Sequence, residues 1–364
     1  MTARVTLAPL DRVGIIGGGQ LGRMLCAAAA RLGLETIVFA PEADAPAAQL
    51  ASRFIPAAYE DEKALAAFAD TVDVITFEFE NLPVDSLRQL ATAKPVLPDP
   101  EVLAITQDRL SEKLLVESAG FLPAPWRRID SPGDIEEAVA EFGEIIVKTR
   151  RFGYDGKGQW RVRRPSDIPA VWTALAGRPA IAERHIPFEA ELSVVLTRAQ
   201  DGAIRSYPPS RNLHRGGILR RTHVPCGFPE EIVTRARTIA SALAERLHFV
   251  GTMAVELFVL PATDRIDGER LLVNEIAPRV HNSGHWTIEG AVTSQFEQHI
   301  RAIAGWPLGS TDALGTVVME NLIGEEIDRF EELLGEPDAH LHHYGKRQVR
   351  SGRKMGHVTW LRPE

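Results

Sequence analysis

Short apolar runs alternate with amphipathic segments along the first third of the chain. The apolar runs predict buried strands, and the segments between them repeat apolar residues at helical spacing. The predicted strands are 13–16, 36–39 and 74–77, and the predicted helices are 21–32, 63–69 and 84–93. This alternation predicts a parallel sheet covered by helices, which places the chain in the α/β class.

The pattern changes after the proline-rich stretch 94–100, which predicts a domain boundary near residue 105. Ser131 and Asp134 have the spacing of a capping box that begins a helix. The Arg- and Pro-rich stretch 205–226 predicts a long functional loop. The other predicted elements are helices at 107–119 and 229–247, strands within 145–195, paired strands at 250–260 and 270–277, and a small mixed tail after 307.

Composition narrows the classes of protein that fit. The 364 residues are enough for two or three domains with cores of their own. A formal charge of −8 argues against general binding to nucleic acid or acidic membranes. Two cysteines cannot build a disulfide framework, no apolar run approaches a membrane span, and the first ten residues lack a secretory core. We therefore expect a cytoplasmic protein with small-molecule partners.

A basic, glycine-rich loop follows the apolar run 145–147. Lys148 ends that run, Arg150 and Arg151 follow, and Lys157 lies among three glycines. Glycines let the backbone approach a polyanion closely and expose its N–H groups. A Walker-type loop would continue from its lysine into Ser or Thr and a helix, whereas Gly158 follows Lys157. We interpret the segment as a phosphate-covering flap on a hairpin; the alternative is a basic surface hairpin.

A second glycine motif, Gly17 to Gly22, fits G-x-G-x-x-G between a predicted strand and a predicted helix. A nicotinamide enzyme would also place an acid at the end of the next strand, but that strand ends in Phe39-Ala40-Pro41. We therefore favour a Rossmann-like sheet that does not bind NAD. The helix N-terminus can still hold an anion; alternatively the glycines only permit a tight turn.

Two acids, Glu256 and Glu275, lie within the apolar paired strands. A buried carboxylate is costly unless it is paired or bound to metal. Because Mg²⁺ takes one or two carboxylates plus phosphate oxygens, these acids near a phosphate flap predict a magnesium site. The alternative is that each acid has a local arginine partner.

Polar residues follow the second of these strands. Arg279 offers a planar fork for an oxyanion, and His281 and Asn282 add directional donors. Residues 183–186 and Glu191 flank another strand end, where backbone groups could meet adenine and a carboxylate could hold ribose. A basic cluster near the C-terminus fits a phosphate-monoester clamp, with a solvated tail as the alternative: Lys346, Arg353 and Lys354.

Together these motifs resemble the 5-(carboxyamino)imidazole ribonucleotide synthases, a family of the ATP-grasp superfamily in purine biosynthesis. The likeness runs from Val13 to His357, and its most specific parts are 274–285 and 352–357. One departure is Phe152, where glycine is expected in many relatives. The resemblance implies a Rossmann-like domain over 1–108, an ATP-grasp domain of two subdomains over 109–305, and a small C-terminal domain over 306–364.

The resemblance also implies roles for individual side chains. ATP would be contacted by Arg109, Lys148, Gly153, Tyr154, Asp155, Gly156, Lys157, Gly158, Gln159, Glu183, Arg184, His185, Ile186, Glu191, His214, Asn274 and Glu275. Mg²⁺ would be held by Glu256 and Glu275. The reacting centre would involve Tyr154, Asp155 and Lys157, with bicarbonate on Arg279, His281 and Asn282. The ribonucleotide would be bound by Gln20, Glu80, Lys346, Arg353 and Lys354.

The activity implied is carboxylation of the amine of aminoimidazole ribonucleotide with ATP and bicarbonate, through carboxyphosphate, by a homodimer. Asp155 is the candidate proton acceptor. Three alternatives remain. A sibling formate-dependent glycinamide ribonucleotide transformylase would carry an acid in place of Gln20. The others are an NAD-dependent oxidoreductase and a sensor that binds ATP without consuming it.

Overall fold

The computed structural model describes residues 4–153 and 156–362. Within these residues the first third forms a parallel sheet whose apolar side chains are buried on both faces. Its elements are β1 (Arg12–Ile16), α1 (Gln20–Arg31), β2 (Glu35–Ala40), β3 (Arg53–Pro56), α2 (Glu62–Ala69), β4 (Val74–Phe77) and α3 (Val84–Ala91). The strand order is β3-β2-β1-β4, so the ends of β1 and β4 lie side by side. The predicted α/β architecture of this region is confirmed.

A small antiparallel sheet of order β5-β8-β6-β7 follows. Its region contains α4 (Pro100–Thr106), α5 (Arg109–Ser118), β5 (Trp126–Ile129), α6 (Pro132–Phe142), β6 (Ile145–Thr149), β7 (Gln159–Val162), α7 (Ile168–Leu175) and β8 (Ala180–Arg184). The predicted capping box is present: Ser131 Oγ accepts from the N–H of Asp134, whose carboxylate accepts from the N–H of Ser131. The predicted flap hairpin is β6–β7.

A larger antiparallel sheet carries the rest of the chain, in the order β14-β13-β9-β11-β12-β15-β17-β16 with β10 beside β9. Its strands are β9 (Ala190–Arg198), β10 (Ile204–Ser206), β11 (Ser210–Arg215), β12 (Ile218–Val224), β13 (Gly251–Val259), β14 (Leu271–Ala277), β15 (Thr316–Ile323), β16 (Ala339–His343) and β17 (Lys354–Arg362). Its helices are α8 (Glu230–Arg246), α9 (Thr287–Gly290), α10 (Gln295–Ile303) and α11 (Phe330–Leu334). The C-terminal strands thus extend the sheet that holds β13 and β14, because β12 pairs with β15.

The expectation of a loop over residues 205–226 is wrong, because this stretch forms β10, β11 and β12. Its inward positions carry Ser210, Asn212 and Thr222, all buried, in place of aliphatic side chains. The apolar alternation that announces a half-buried strand is therefore missing from the sequence. Hydrogen bonds among these polar groups stabilise their burial instead.

Six further elements were not predicted: β3, α4, β5, α7, α9 and α10. β3 is a short edge strand, and α7 lies inside a stretch for which strands were expected. The helix expected at 107–119 is α5, which begins after Asp108, whose carboxylate caps it by accepting from the N–H of Leu110. In the described part of the chain, no helix has the length and apolar character needed to cross a bilayer.

Candidate active site

The glycine turn after β1 already holds an anion. Gly17 adopts a φ of 109°, and the N–H groups of Gly19 and Gly22 donate to the carboxylate of Glu78 at 2.7 and 3.3 Å. Glu78 follows β4, so strand pairing brings the acid to the start of α1. A helix N-terminus favours an anion, and here that anion is the protein's own carboxylate. The arrangement disfavours a dinucleotide pyrophosphate at this turn.

Glu78 was not singled out from the sequence, although an acid directly after a buried strand was a usable signal. Burial raises the pKa of Glu78 above its ordinary value, although its bond to Gly19 and the charges of Arg279 and Lys346 oppose part of this shift. The turn therefore lies close to Arg279, predicted to bind bicarbonate, and to Lys346, predicted to bind the ribonucleotide.

A buried group of charges lies between the two antiparallel sheets. Lys148 Nζ on β6 donates to Glu183 Oε2 on β8 at 2.6 Å. Lys113 Nζ on α5 lies 3.1 Å from Glu183 Oε1 and donates to the carbonyl of Asn274 at 2.6 Å. Burial raises the pKa of Glu183, but the charges of Lys113 and Lys148 outweigh it and leave the pKa at about 2. Glu183 is therefore an ionised partner of the two lysines.

Lys113 was missed from the sequence because one lysine in an amphipathic helix usually lies at the solvent face. Burial lowers the pKa of Lys148, against the carboxylate of Glu183, and the neighbouring charges of Arg109 and Lys113 lower it further. Two cations around one carboxylate leave net positive charge at this place. That charge suits a polyphosphate.

The flap lies over this region on the β6–β7 hairpin. The N–H of Thr149 donates to the carbonyl of Gly158 at 2.9 Å. Gly158 has a φ of 72°, and a Cβ there would lie 2.7 Å from Thr149 Oγ1, so glycine is required. Phe152 also takes a positive φ, 62°, with its side chain 71% exposed. Gly156, Lys157 and Gln159 continue the flap, and Tyr154 and Asp155 lie outside the described residues.

Glu256 and Glu275 face each other as register partners on β13 and β14. Burial and the charge of Glu275 raise the pKa of Glu256 to about 8. Arg109 NH1 lies 3.6 Å from Glu275 Oε2, so one of the two acids does have the arginine neighbour considered above. The other acid, Glu256, contacts His281 Nε2 at 3.4 Å.

This pair of carboxylates fits a hard divalent cation. An acid whose pKa is raised by a neighbouring carboxylate, as Glu256 is, is stabilised by a shared positive charge. Among the described residues no cluster of three or more His, Cys, Asp or Glu side chains could hold a metal. A cation here would therefore need oxygens from a ligand as well, which is how Mg²⁺ is commonly bound beside phosphates.

The loop after β14 carries the predicted oxyanion groups. Arg279 NH2 lies 2.7 Å from Glu80 Oε2, and the charge of Glu80 raises the pKa of Arg279 against the effect of burial. Both polar side-chain atoms of Asn282 are buried without a hydrogen-bond partner among the described residues. Unpartnered buried amides are rare. Asn282 is therefore available to an anion bound beside Arg279 and His281.

The other residues predicted to contact ATP lie at the end of β8, at the start of β9 and on β11. His185 donates its N–H to the carbonyl of Glu144, and Ile186 is buried, while Arg184 is exposed. Glu191 Oε2 lies 2.6 Å from His214 Nδ1. Burial lowers the pKa of His214, but the bond to Glu191 and the charges of Glu256 and Glu275 together raise it by more. Of the two candidate acids, Glu183 is engaged by two lysines and Glu191 by His214.

The C-terminal basic cluster lies near both the glycine turn and the carboxylate pair, since the charge of Lys346 acts on Glu78 and that of Lys354 on Glu256. Lys346 Nζ donates to the carbonyl of Lys354 at 2.6 Å and lies 5.5 Å from the ring centre of Tyr344. Lys354 lies close enough to lower the pKa of Glu256. Arg353 donates to the carbonyl of Gln348 at 3.0 Å. The half-buried Gln20 begins α1, directly after the glycine turn.

Three domain families match the chain in succession. Residues 10–107 match the ribonucleotide synthetase preATP-grasp domain, and residues 114–296 match the ATP-grasp domain. Residues 317–364 match the phosphoribosylaminoimidazole carboxylase C-terminal domain. The predicted boundaries after residues 108 and 305 stay predictions.

Relatives are similar over nearly the whole chain. An N5-carboxyaminoimidazole ribonucleotide synthase of Brucella melitensis is 48% identical, with 99% of each chain covered. The Staphylococcus aureus N5-carboxyaminoimidazole synthetase complexed with ADP has a TM-score of 0.92 at 37% identity, covering 99% of this chain and 95% of that one. The Aspergillus clavatus enzyme in complex with ADP and 5-aminoimidazole ribonucleotide has a TM-score of 0.90 at 30% identity, covering 97% and 94%.

Proposed function

The chain belongs to the N5-carboxyaminoimidazole ribonucleotide synthases, ligases of the ATP-grasp type, and on that premise we propose that it carboxylates the amine of 5-aminoimidazole ribonucleotide with ATP and bicarbonate. One observation carries the proposal. Glu256 and Glu275, which face each other, lie next to a loop whose Arg279, His281 and Asn282 are arranged for an anion. A cation–phosphate site and an oxyanion site are thus adjacent.

The triphosphate of ATP would lie under the flap, against Lys148. Glu183 keeps Lys148 in place and charged, so its positive charge is oriented before the nucleotide binds. The glycines of the flap let backbone N–H groups approach the phosphates. Closing the flap would exclude water, which would otherwise hydrolyse a reactive intermediate. Tyr154, Asp155 and Lys157 stay predicted contacts over the reacting centre.

Glu256 and Glu275 would hold Mg²⁺ together with phosphate oxygens. The bound cation would offset the negative charge that spreads over the transferred phosphoryl group. It would also offset the repulsion between the two carboxylates and the cost of burying the Glu256 carboxylate in an apolar sheet.

Bicarbonate would be fixed by Arg279, His281 and Asn282, in line with the γ-phosphate. Much of the rate gain would then come from positioning two anions that otherwise repel each other. Attack on the γ-phosphorus would give carboxyphosphate and ADP. The ribonucleotide amine would attack the carboxyl carbon, and phosphate would leave. Asp155 is the proposed acceptor of the amine proton.

The ribonucleotide would bind between the glycine turn and the C-terminal strands. Its phosphate would meet Lys346, Arg353 and Lys354, and Gln20 and Glu80 would contact the rest of the molecule. Glu80 already forms an ion pair with Arg279, which would link ribonucleotide binding to the bicarbonate loop. We also propose a homodimer in the cytoplasm, which size-exclusion chromatography with light scattering and cell fractionation would test.

One assay separates this function from its nearest rival. ADP release is measured with ATP, Mg²⁺, bicarbonate and aminoimidazole ribonucleotide, and in parallel with formate and glycinamide ribonucleotide. We expect release in the first mixture, and loss of coupled release when bicarbonate or the ribonucleotide is omitted. Release only in the second mixture would establish a transformylase, and ATP binding without release in either would establish a sensor.

A further inference from the structure

His281 is hydrogen-bonded on the side that faces away from the carboxylates. Its Nδ1 lies 2.8 Å from Ser283 Oγ and accepts from the N–H of Ser283 at 3.3 Å. A backbone N–H can only donate, so Nδ1 carries no proton and the Ser283 hydroxyl donates to it as well. A neutral imidazole has one N–H. That proton is therefore on Nε2, the atom that faces Glu256.

Ser283 is the last member of a line of hydrogen bonds that all point the same way. The Thr222 hydroxyl donates to Asn212 Oδ1 at 3.1 Å, and Asn212 Nδ2 donates to Ser193 Oγ at 2.7 Å. The Ser193 hydroxyl donates to Ser283 Oγ at 2.6 Å. All four side chains are buried. The line therefore runs through the protein interior and ends at the His281 ring.

The large sheet sets this line beside the carboxylates. Thr222 and Asn212 are register partners on β12 and β11. Ser193 on β9 is the register partner of Glu256 on β13, so the two side chains share one face of the sheet. The loop that carries Ser283 folds onto that face. Strand register thus decides that the line reaches His281 rather than solvent.

The backbone of His281 is held independently. Its N–H donates to Gln295 Oε1 at 2.9 Å, and its carbonyl accepts from Gln295 Nε2 at 2.7 Å. A Cβ at Gly284 would lie 2.6 Å from Gln295, so glycine at this position leaves room for the two hydrogen bonds between Gln295 and the His281 backbone. Because the backbone and the ring of His281 are both held, the Nε2–H stays on the side of Glu256.

We propose that Thr222, Asn212, Ser193 and Ser283 form a positioning relay that fixes the His281 ring, with Nδ1 as an acceptor toward Ser283 and the Nε2–H on the side of Glu256, where bicarbonate would bind. This inference rests on the proposed function. A donor held in place before the anion arrives needs no reorganisation when it binds. Ser283 and Ser193 act through His281 and do not contact substrate.

Kinetics of Ser283→Ala and Ser193→Ala test the relay against a matched control, Ser210→Ala. Ser210 is as deeply buried, and its Oγ lies 3.1 Å from Ser193 Oγ, but it lies outside the directed line. We expect KM for bicarbonate to rise about tenfold in Ser283→Ala and Ser193→Ala, the factor that one hydrogen bond to an anion commonly contributes. KM for ATP should not change in these variants. Ser210→Ala should stay within about twofold of the unmodified protein in both.

The result that overturns the relay is equally specific. Equal KM values for bicarbonate in Ser283→Ala and Ser210→Ala would do so, as would a parallel rise in KM for ATP, which signals general damage to the site. Thr222→Val keeps the side-chain shape and removes only the far end of the line. A smaller rise in KM for bicarbonate, in the same direction, is expected there.

Nitrogen NMR of ¹⁵N-histidine protein tests the relay without any turnover. The His281 signals are identified by their absence in His281→Gln. We expect an unprotonated Nδ1 and a protonated Nε2 in the unmodified protein. In Ser283→Ala only the longer 3.3 Å bond from the backbone N–H of residue 283 remains at Nδ1, so we expect a minor fraction of the Nδ1-protonated tautomer to appear. A protonated Nδ1 in the unmodified protein would refute the relay even if ADP release follows the proposed function. The expected tautomer without bicarbonate-dependent ADP release would refute the function alone.

Discussion

Lys148 is buried beside Glu183, and each depends on the other for its charge. Removing one member of a buried ion pair usually destabilises a protein strongly. Here Lys113 also contacts Glu183, so the carboxylate keeps a partner when Lys148 is lost. Activity and stability can therefore be separated at this residue.

We expect Lys148→Met to lower ATP turnover about 100-fold or more, as loss of one preorganised donor does elsewhere. The free energy of unfolding should fall by no more than about 3 kcal/mol because Lys113 remains. The control is Lys63→Met on the exposed face of α2. Steady-state ADP release and denaturant unfolding measure both quantities. Turnover close to that of Lys63→Met would remove Lys148 from the site.

Some site residues could be identified singly from the sequence and others could not. Glu256 and Glu275 stand out because a carboxylate in an apolar strand is unusual. Lys113 does not, because a lysine in an amphipathic helix is ordinary, and the acid at Glu78 after its buried strand does not by itself reveal which groups it binds. Their importance comes from partners distant in the chain, such as Gly19 and Asn274.

The flap hairpin shows how a glycine motif is used. Gly158 needs its positive φ, and it also lies too close to Thr149 for a side chain. Gly177 after α7 has nearly the same φ, 73°, but no atom lies within 4 Å of the position of its Cβ. The two glycines therefore share the backbone cost of a substitution and differ only in the close contact.

We expect Gly158→Ala to raise KM for ATP about tenfold, since the Cβ would displace Thr149 and the base of the flap. Gly177→Ala should pay only the left-handed backbone cost, about 1 kcal/mol, with normal KM. Kinetics with ATP as the varied substrate, together with thermal unfolding, distinguish the two effects. Equal KM values would mean that the flap does not govern nucleotide binding.

Elements were predicted well where apolar periodicity is regular and poorly where polar side chains face inward. The alternation of β1, α1 and β2 gives the N-terminal fold class directly. In contrast, β11 and β12 bury Asn212 and Thr222, so their inner face does not look apolar. The polar inner face of β11 and β12 both forms the relay and explains why these two strands were not predicted.

The parallel sheet and the large sheet are joined by a buried polar contact at His299. Thr76 of the parallel sheet and Thr252 of the large sheet both bond to His299 on α10. The N–H of Thr252 donates to Nδ1 at 3.1 Å, so Nε2–H donates to the Thr76 hydroxyl at 2.8 Å. Burial lowers the pKa of His299 to about 4. The junction therefore requires a neutral histidine.

This junction predicts an acid-dependent loss of stability. Below the unfolded-state pKa of about 6.5, the unfolded chain binds a proton that folded His299 refuses until about pH 4. The free energy of unfolding should thus fall as pH decreases through this window, by about 1.4 kcal/mol per unit and about 3 kcal/mol in all. Above about pH 6.5 the contribution of His299 to the free energy of unfolding is constant.

Denaturant unfolding at about pH 7 and about pH 5 measures the effect. The other buried histidines titrate in every variant, so the difference between proteins isolates His299. From this linkage, His299→Gln should lose about 2 kcal/mol less between the two pH values than the unmodified protein. His340→Gln, at an exposed position on β16, should behave like the unmodified protein. A His299→Gln protein with the full acid loss would contradict the prediction.

By itself the sequence determined the parallel sheet, the flap hairpin, the paired acidic strands and the family, because each is written in residues close together along the chain. Only the tertiary structure decided that Glu78 fills the glycine turn, that Lys113 joins Lys148 at Glu183, and that Ser193 leads to His281. These contacts join residues 35 to 90 positions apart. Strand order and register select such partners, and no local pattern encodes that selection.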